Sequence, residues 1–167
     1  DTAIKLDETG AEATSSTKKV EFTDTGFKLN STNSALNASG STYIYLAFAG
    51  GIDSISDYNT TGTLDSRVKA STTYGQSIVS WTGNATASAS VGTGLSSAAE
   101  LIIIKNRETS GTNWRVHDNI SGKTNGRMDL NGNGAENTAN HQITFQSDKW
   151  TFNSDSGQHE DWNKNNT

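Results

Sequence analysis

Apolar and polar residues alternate along most of this chain in short runs separated by turn-forming residues. The strongest run is 43–49, Tyr-Ile-Tyr-Leu-Ala-Phe-Ala, with Ile44, Leu46 and Phe48 on one side of a period of two. Tyr43, Tyr45, Ala47 and Ala49 fall on the other side, so both sides are apolar or aromatic. That pattern predicts an inner strand covered on two faces, with breaks at Gly40 and Gly50-Gly51. Leu101-Ile102-Ile103-Ile104 is the second such run, and Ser110-Gly111 predicts a hairpin from it into 113–117. Ile44, Leu46, Phe48, Leu101, Ile102, Ile103 and Ile104 are therefore the expected core.

Weaker alternation appears at Ile4 and Leu6, then at 20–22 and 27–29 around an Asp24-Thr25-Gly26 turn. It recurs at 77–81, 85–91, 128–130, 143–145 and 150–152. Residues 51–75 lack it and read as a polar insertion loop, with a short helical turn at Leu64 and Val68 behind Thr63. About ten short strands and no long helical period predict an all-β fold over residues 1–167, a single β-sandwich of Ig-like or jelly-roll-like type.

Composition agrees with thin β-structure. The hydrophobic fraction is 31%, and the 16 Gly raise it only to about 41%, below the roughly 45–50% of ordinary globular domains. Ser, Thr and Asn make up the difference. A net charge of −5 without a basic cluster argues against nucleic acid as partner. No apolar run approaches the roughly 20 residues of a spanning helix, so membrane insertion is not expected. With no Cys, no disulfide contributes and the redox compartment leaves no mark. The chain starts at Asp1 with neither Met nor a signal segment, which suggests processing or a piece of a longer protein.

One internal similarity stands out. Ile4, Leu6 and Gly10-Ala11-Glu12 return 124 residues later as Met128, Leu130 and Gly134-Ala135-Glu136. Val20, Phe22, Phe27, Leu29 and Asn30-Ser31 return 123 residues later as Ile143, Phe145, Trp150, Phe152 and Asn153-Ser154. Residues 1–31 thus read as a repeat of 127–154, with a period of about 123–124. The earlier copy runs on into 43–49, whereas the later one reaches Thr167 without an equivalent strand.

Candidate chemistry is sparse. Asp129, Asn131 and Asn133, followed by Gly134, open like a calcium loop with oxygen ligands at alternate positions. The twelfth position is Asn140, which offers no bidentate carboxylate, so an ion-free turn is the expectation. His117, His141 and His159 lack metal-type spacing, and no nucleophile elbow or phosphate-binding loop occurs. No catalytic residue and no cofactor is expected. Trp162 and the loop aromatic Tyr58, expected to be exposed, are the candidate contacts for a sugar ring.

Residues 22–29 (Phe-Thr-Asp-Thr-Gly-Phe-Lys-Leu) and 37–49 (Asn-Ala-Ser-Gly-Ser-Thr-Tyr-Ile-Tyr-Leu-Ala-Phe-Ala) resemble an uncharacterised domain found in structural and tail-fibre-like proteins of aquatic phages. The segments 81–84, 94–97, 100–107 and 113–116 resemble other parts of the same domain. The resemblance implies tandem β-sandwich modules in virion or surface proteins, without a catalytic motif.

These readings predict a non-enzymatic structural protein, extracellular or on a virion surface. Its incomplete second unit predicts an open apolar cleft, which either the chain's own 43–49 strand closes, leaving residues 1–31 as a surplus copy, or, the favoured expectation, a neighbour fills. The expected assembly strand is the N-terminal segment with Ile4 and Leu6, entering by β-strand addition. Copies of the chain would then form a head-to-tail filament, a phage appendage or a pilus-like fibre. The competing expectation is a lectin-like adhesion module that binds cell-surface glycans.

Overall fold

The computed structural model describes residues 2–14, 16, 20–48, 58–121, 126–138, 143–153 and 163. Within them the chain is mostly β. The strands in order are β1 (Thr2–Ala3), β2 (Ala13–Thr14), β3 (Val20–Thr23), β4 (Gly26–Leu29), β5 (Tyr58–Asn59), β6 (Ser66–Ser71) and β7 (Gln76–Trp81). They continue as β8 (Ser90–Gly92), β9 (Leu101–Ile104), β10 (Arg115–Asp118), β11 (Met128–Asp129), β12 (Ile143–Phe145) and β13 (Lys149–Phe152). A single-turn helix, α1 (Ser34–Asn37), follows β4, with the Asn33 side chain accepting from the Ala35 amide as its N-cap.

The sheets are small, antiparallel and open. Their orders are β1-β2, β3-β4, β5-β6-β7, β11-β10-β9 and β12-β13-β8. The expected sandwich is therefore met only in its β content. Two hairpins have matching registers: Val20 faces Leu29 and Phe22 faces Phe27 in one, Ile143 faces Phe152 and Phe145 faces Trp150 in the other.

The buried core consists of Leu64, Ala89, Val91, Ile104, Ile143, Trp150 and Phe152, with Val79, Trp81, Ile102 and Phe145 packed against it. Trp150 is central. Its ring meets Trp81 edge-on at 5.5 Å and Phe152 at 4.5 Å, geometries that suit the ring quadrupoles. The segment leading into β6 is clamped on β8. Thr63 N donates to Ser90 O at 3.1 Å, and Ser90 N donates to the Thr63 hydroxyl at 2.9 Å. The backbones approach so closely that a Cβ on Gly92 would lie 2.5 Å from Thr61 O.

Several expectations change. The stretch 41–48 carries no strand pairing, and Ile44 and Leu46 are 98% and 80% exposed. Phe48 is exposed as well. Apolarity on both faces foretold a need for cover, and among the described residues Ile44 and Leu46 do not find it. In β9, Ile104 is buried and Ile102 packs on the core, while Leu101 and Ile103 point to solvent. All four residues of that strand also line an open groove.

The supposed loop 51–75 contains β5 and β6, and β6 pairs with β7 along its full length. Its Ser-Arg-Val-Lys-Ala-Ser alternation is too small and polar to announce a strand. Leu64 makes an isolated parallel bridge to Val91 and Val68 lies in β6, so no helical turn forms there. The expected strand 85–91 shrinks to its end because Ala85 and Ser88 adopt positive φ, 55° and 58°.

Candidate functional site

An apolar groove of about 710 Å³ lies between β7 and β9. Among the described residues each of these strands ends its sheet, so both walls present free edges. Ile78 and Val79 line one wall, Leu101 to Ile104 the other, with Trp150 between them. Lys69 and Glu100 are the charged residues among its lining. Phe48 also contributes to the lining, which brings the exposed 43–48 segment to the edge of the groove.

Residues 20–48 form an arm beside this body. Asn30 bonds Glu21, and Asn37 bonds Ser31 O. The Tyr43 hydroxyl accepts from Ala38 N at 2.7 Å and donates to Ser34 O at 2.8 Å, pinning the start of the segment to α1. Tyr45 meets Phe27 edge-on at 5.1 Å. Phe22, on the same hairpin, is 87% exposed.

The N-terminal segment is docked on its own chain. Trp114 Nε1 donates to Lys5 O at 2.9 Å, Gly111 N to Thr9 O at 2.9 Å and Glu12 N to Arg107 O at 2.7 Å. Lys105 Nζ reaches Thr9 O, and Arg107 pairs with Glu12. Ile4 and Leu6 lie outside β1, with Ile4 half-buried and Leu6 exposed. The segment that carries them braces the 105–114 turn of its own chain through Lys5, Thr9 and Glu12. Lys5 also bonds Glu8 at 2.5 Å, which raises its pKa above the ordinary lysine value.

A second cleft, of about 360 Å³, holds Tyr58, the other candidate that can be placed. The Arg67 guanidinium stacks 4.9 Å from the Tyr58 ring centroid and reaches its hydroxyl at 3.2 Å. Ser66 also lines it, only 2% exposed, with no hydrogen-bond partner for its hydroxyl among the described residues. Trp81, Asp65 and Asn106 are further lining residues. Arg67, Ser66 and Asn106 escaped the sequence reading because isolated polar residues carry no pattern. Trp162 lies outside the described residues, as do His141, His159 and Asn140.

The calcium-like turn is committed to protein partners. Asp129 accepts from Asn113 Nδ2 at 2.8 Å through one oxygen and from the buried Arg115 through the other. Asn131 Oδ1 accepts from Trp114 N at 2.8 Å, and its amide donates to Asn113 at 3.0 Å. Asn133 is exposed. The alternate oxygens of the motif hold β10 to the following turn. His117, in β10, is buried, with Nδ1 at 3.1 Å from Gly126 O.

Neither a curated protein nor a solved structure matches this chain. A family does, over residues 1–51 and 53–167. The chain, with its open groove and its exposed arm, belongs to the family described as Domain of unknown function (DUF7483).

Proposed function

We propose that this domain is a non-enzymatic structural unit, repeated in a surface fibre and joined head to tail by β-strand addition. The observation that carries this reading is the coexistence of two uncovered apolar features in one molecule. One is the 43–48 segment, exposed and without strand pairing; the other is the groove bounded by the free edges of β7 and β9. Free edges beside apolar surface attract further strands. A strand from one copy entering a groove on the next makes a heterologous contact, which propagates unless it closes a ring.

The shared register of the β3–β4 and β12–β13 hairpins supports the repeat of about 123–124 residues and its origin in tandem sandwich modules. One hairpin buries Ile143, Trp150 and Phe152, while the other leaves Phe22 in solvent. The setting that fits is extracellular, in a virion appendage or a pilus-like filament. Sedimentation and negative-stain electron microscopy of the purified chain test the reading. Filaments of uniform width are expected; a monomer at all concentrations overturns it.

A second reading, a glycan-binding adhesion module, is favoured by the Tyr58 cleft, where a flat ring and a buried unpartnered hydroxyl lie together. A glycan array probed with wild type and Tyr58→Ala decides it. Selective binding lost in the variant supports the module, and a blank array removes it.

A further inference from the structure

We propose that Asn133 is a site of spontaneous covalent modification, at which the Gly134 backbone nitrogen displaces the side-chain amide and leaves aspartate or isoaspartate. This inference is independent of the fibre reading and concerns the turn whose spacing imitates a calcium loop.

The reaction needs an asparagine followed by a residue whose backbone nitrogen can reach the side-chain carbonyl carbon. Glycine obstructs that approach least, because it has no Cβ and its backbone turns freely. The chain has three Asn-Gly pairs, at 125–126, 131–132 and 133–134. Asn125 lies outside the described residues. The other two pairs adjoin in one turn. The dipeptide is the same in both, so the fold has to separate them.

Asn131 is held on both sides of the bond that would have to form. Its Oδ1 accepts from Trp114 N at 2.8 Å, and its Nδ2 donates to Asn113 Oδ1 at 3.0 Å. The nitrogen that would attack it, Gly132 N, donates to Asp129 O at 3.0 Å. Ring closure there would break all three bonds. Asn133 and Gly134 are both exposed. Among the described residues neither the Asn133 side chain nor the Gly134 amide is hydrogen-bonded. The space beside Gly134 is open, since a Cβ there would meet nothing within 4 Å. The loop is closed at its base, where Arg127 and Asn137 exchange two backbone hydrogen bonds at 3.0 and 2.9 Å. A change at Asn133 touches none of these bonds.

In the first step Gly134 N bonds to Asn133 Cγ and gives up its proton. The Cγ–Nδ2 bond breaks, and ammonia leaves with a proton taken from solvent in place of the one lost. The product is a cyclic succinimide. Water then opens the ring at either carbonyl. Attack at Cγ restores the ordinary link as aspartate; attack at the backbone carbonyl routes the main chain through the side chain as isoaspartate. One water is consumed and one ammonia released. Either product carries a new carboxylate, which takes the net charge of −5 one unit further negative.

The full chain, aged in mildly acidic and in mildly alkaline buffer, is followed by peptide mass spectrometry. Electron-transfer fragmentation places each amide-to-acid change and distinguishes the two products. A sample in concentrated guanidinium chloride runs in parallel. In the native chain, conversion at Asn133 should exceed that at Asn131 many-fold and rise with pH, because the attacking nitrogen must lose its proton. In denaturant the two positions should convert at similar rates. Gly134→Ala, whose Cβ enters open space, should slow conversion at Asn133 several-fold. Equal conversion of Asn131 and Asn133 in the native chain would overturn the proposal, as would an intact Asn133 under conditions where the denatured chain reacts. Asn133→Asp carries the charge of the product and should keep the wild-type urea midpoint, because the position is exposed. A lowered midpoint would show that the turn does not tolerate the change.

Discussion

Phe152→Ala is the sharpest probe of the core. Its ring is 1% exposed, meets Trp150 edge-on at 4.5 Å and lies 6.3 Å from Trp81. Truncating a buried Phe costs about 3–5 kcal/mol in lost transfer energy and cavity formation. The two tryptophan contacts place this site in the upper part of that range. Against a total stability of about 5–15 kcal/mol, that loss removes a large share. With a urea slope of about 2–3 kcal/mol/M, the unfolding midpoint should fall by about 1.3–2.5 M. Tryptophan emission follows the transition, because Trp81 and Trp150 flank the altered position. The paired control is Phe22→Ala in the matching hairpin, expected to change stability by no more than about 0.5 kcal/mol. If the two variants shift the midpoint equally, the assignment of one buried and one open hairpin is wrong.

Asn163→Ala should destabilise by about 1–3 kcal/mol, because Asn163 is fully buried and exchanges hydrogen bonds with Asn84 and Thr86 O; chemical denaturation measures this, and an unchanged midpoint would refute the clasp. Arg115→Ala should cost about 3–5 kcal/mol by leaving Asp129 without its buried partner. In the wild type, adding calcium or a chelator should leave the melting temperature unmoved, and a calcium-dependent rise would restore the ion site.

What was legible in the sequence follows from what alternation encodes. The hairpins β3–β4, β9–β10 and β12–β13 announce themselves through paired apolar positions around turn residues. β6 does not, because Ser66, Val68 and Ala70 make one of its faces small and weakly apolar. The 43–49 run is the instructive miss. Its two apolar faces state a requirement for cover, and pattern alone has no way to say whether the cover belongs to the same molecule. The walls of the groove, Ile78-Val79 and Leu101–Ile104, were readable as strands, but they belong to two different sheets, and alternation does not encode how separate sheets pack. Asp129 and Asn131 show the reverse failure, a ligand-like spacing satisfied by neighbouring side chains and a backbone amide. Asn163 stands in a polar stretch and gave no signal at all.

The reach of the stabilising contacts has a kinetic consequence. Asn84 and Asn163 are 79 positions apart, and Lys5 meets Trp114 across 109. Closing such loops costs entropy before burial repays it, so folding is slow for a chain of this size. During synthesis β9 emerges well before β12 and β13, the strands that supply Ile143, Trp150 and Phe152 to its buried side. Until then only the upstream members of the core, Leu64, Val79, Trp81, Ala89 and Val91, can cover its four consecutive large aliphatic residues. In that interval β9 is an aggregation-prone stretch of the nascent chain, open to a wrong partner strand.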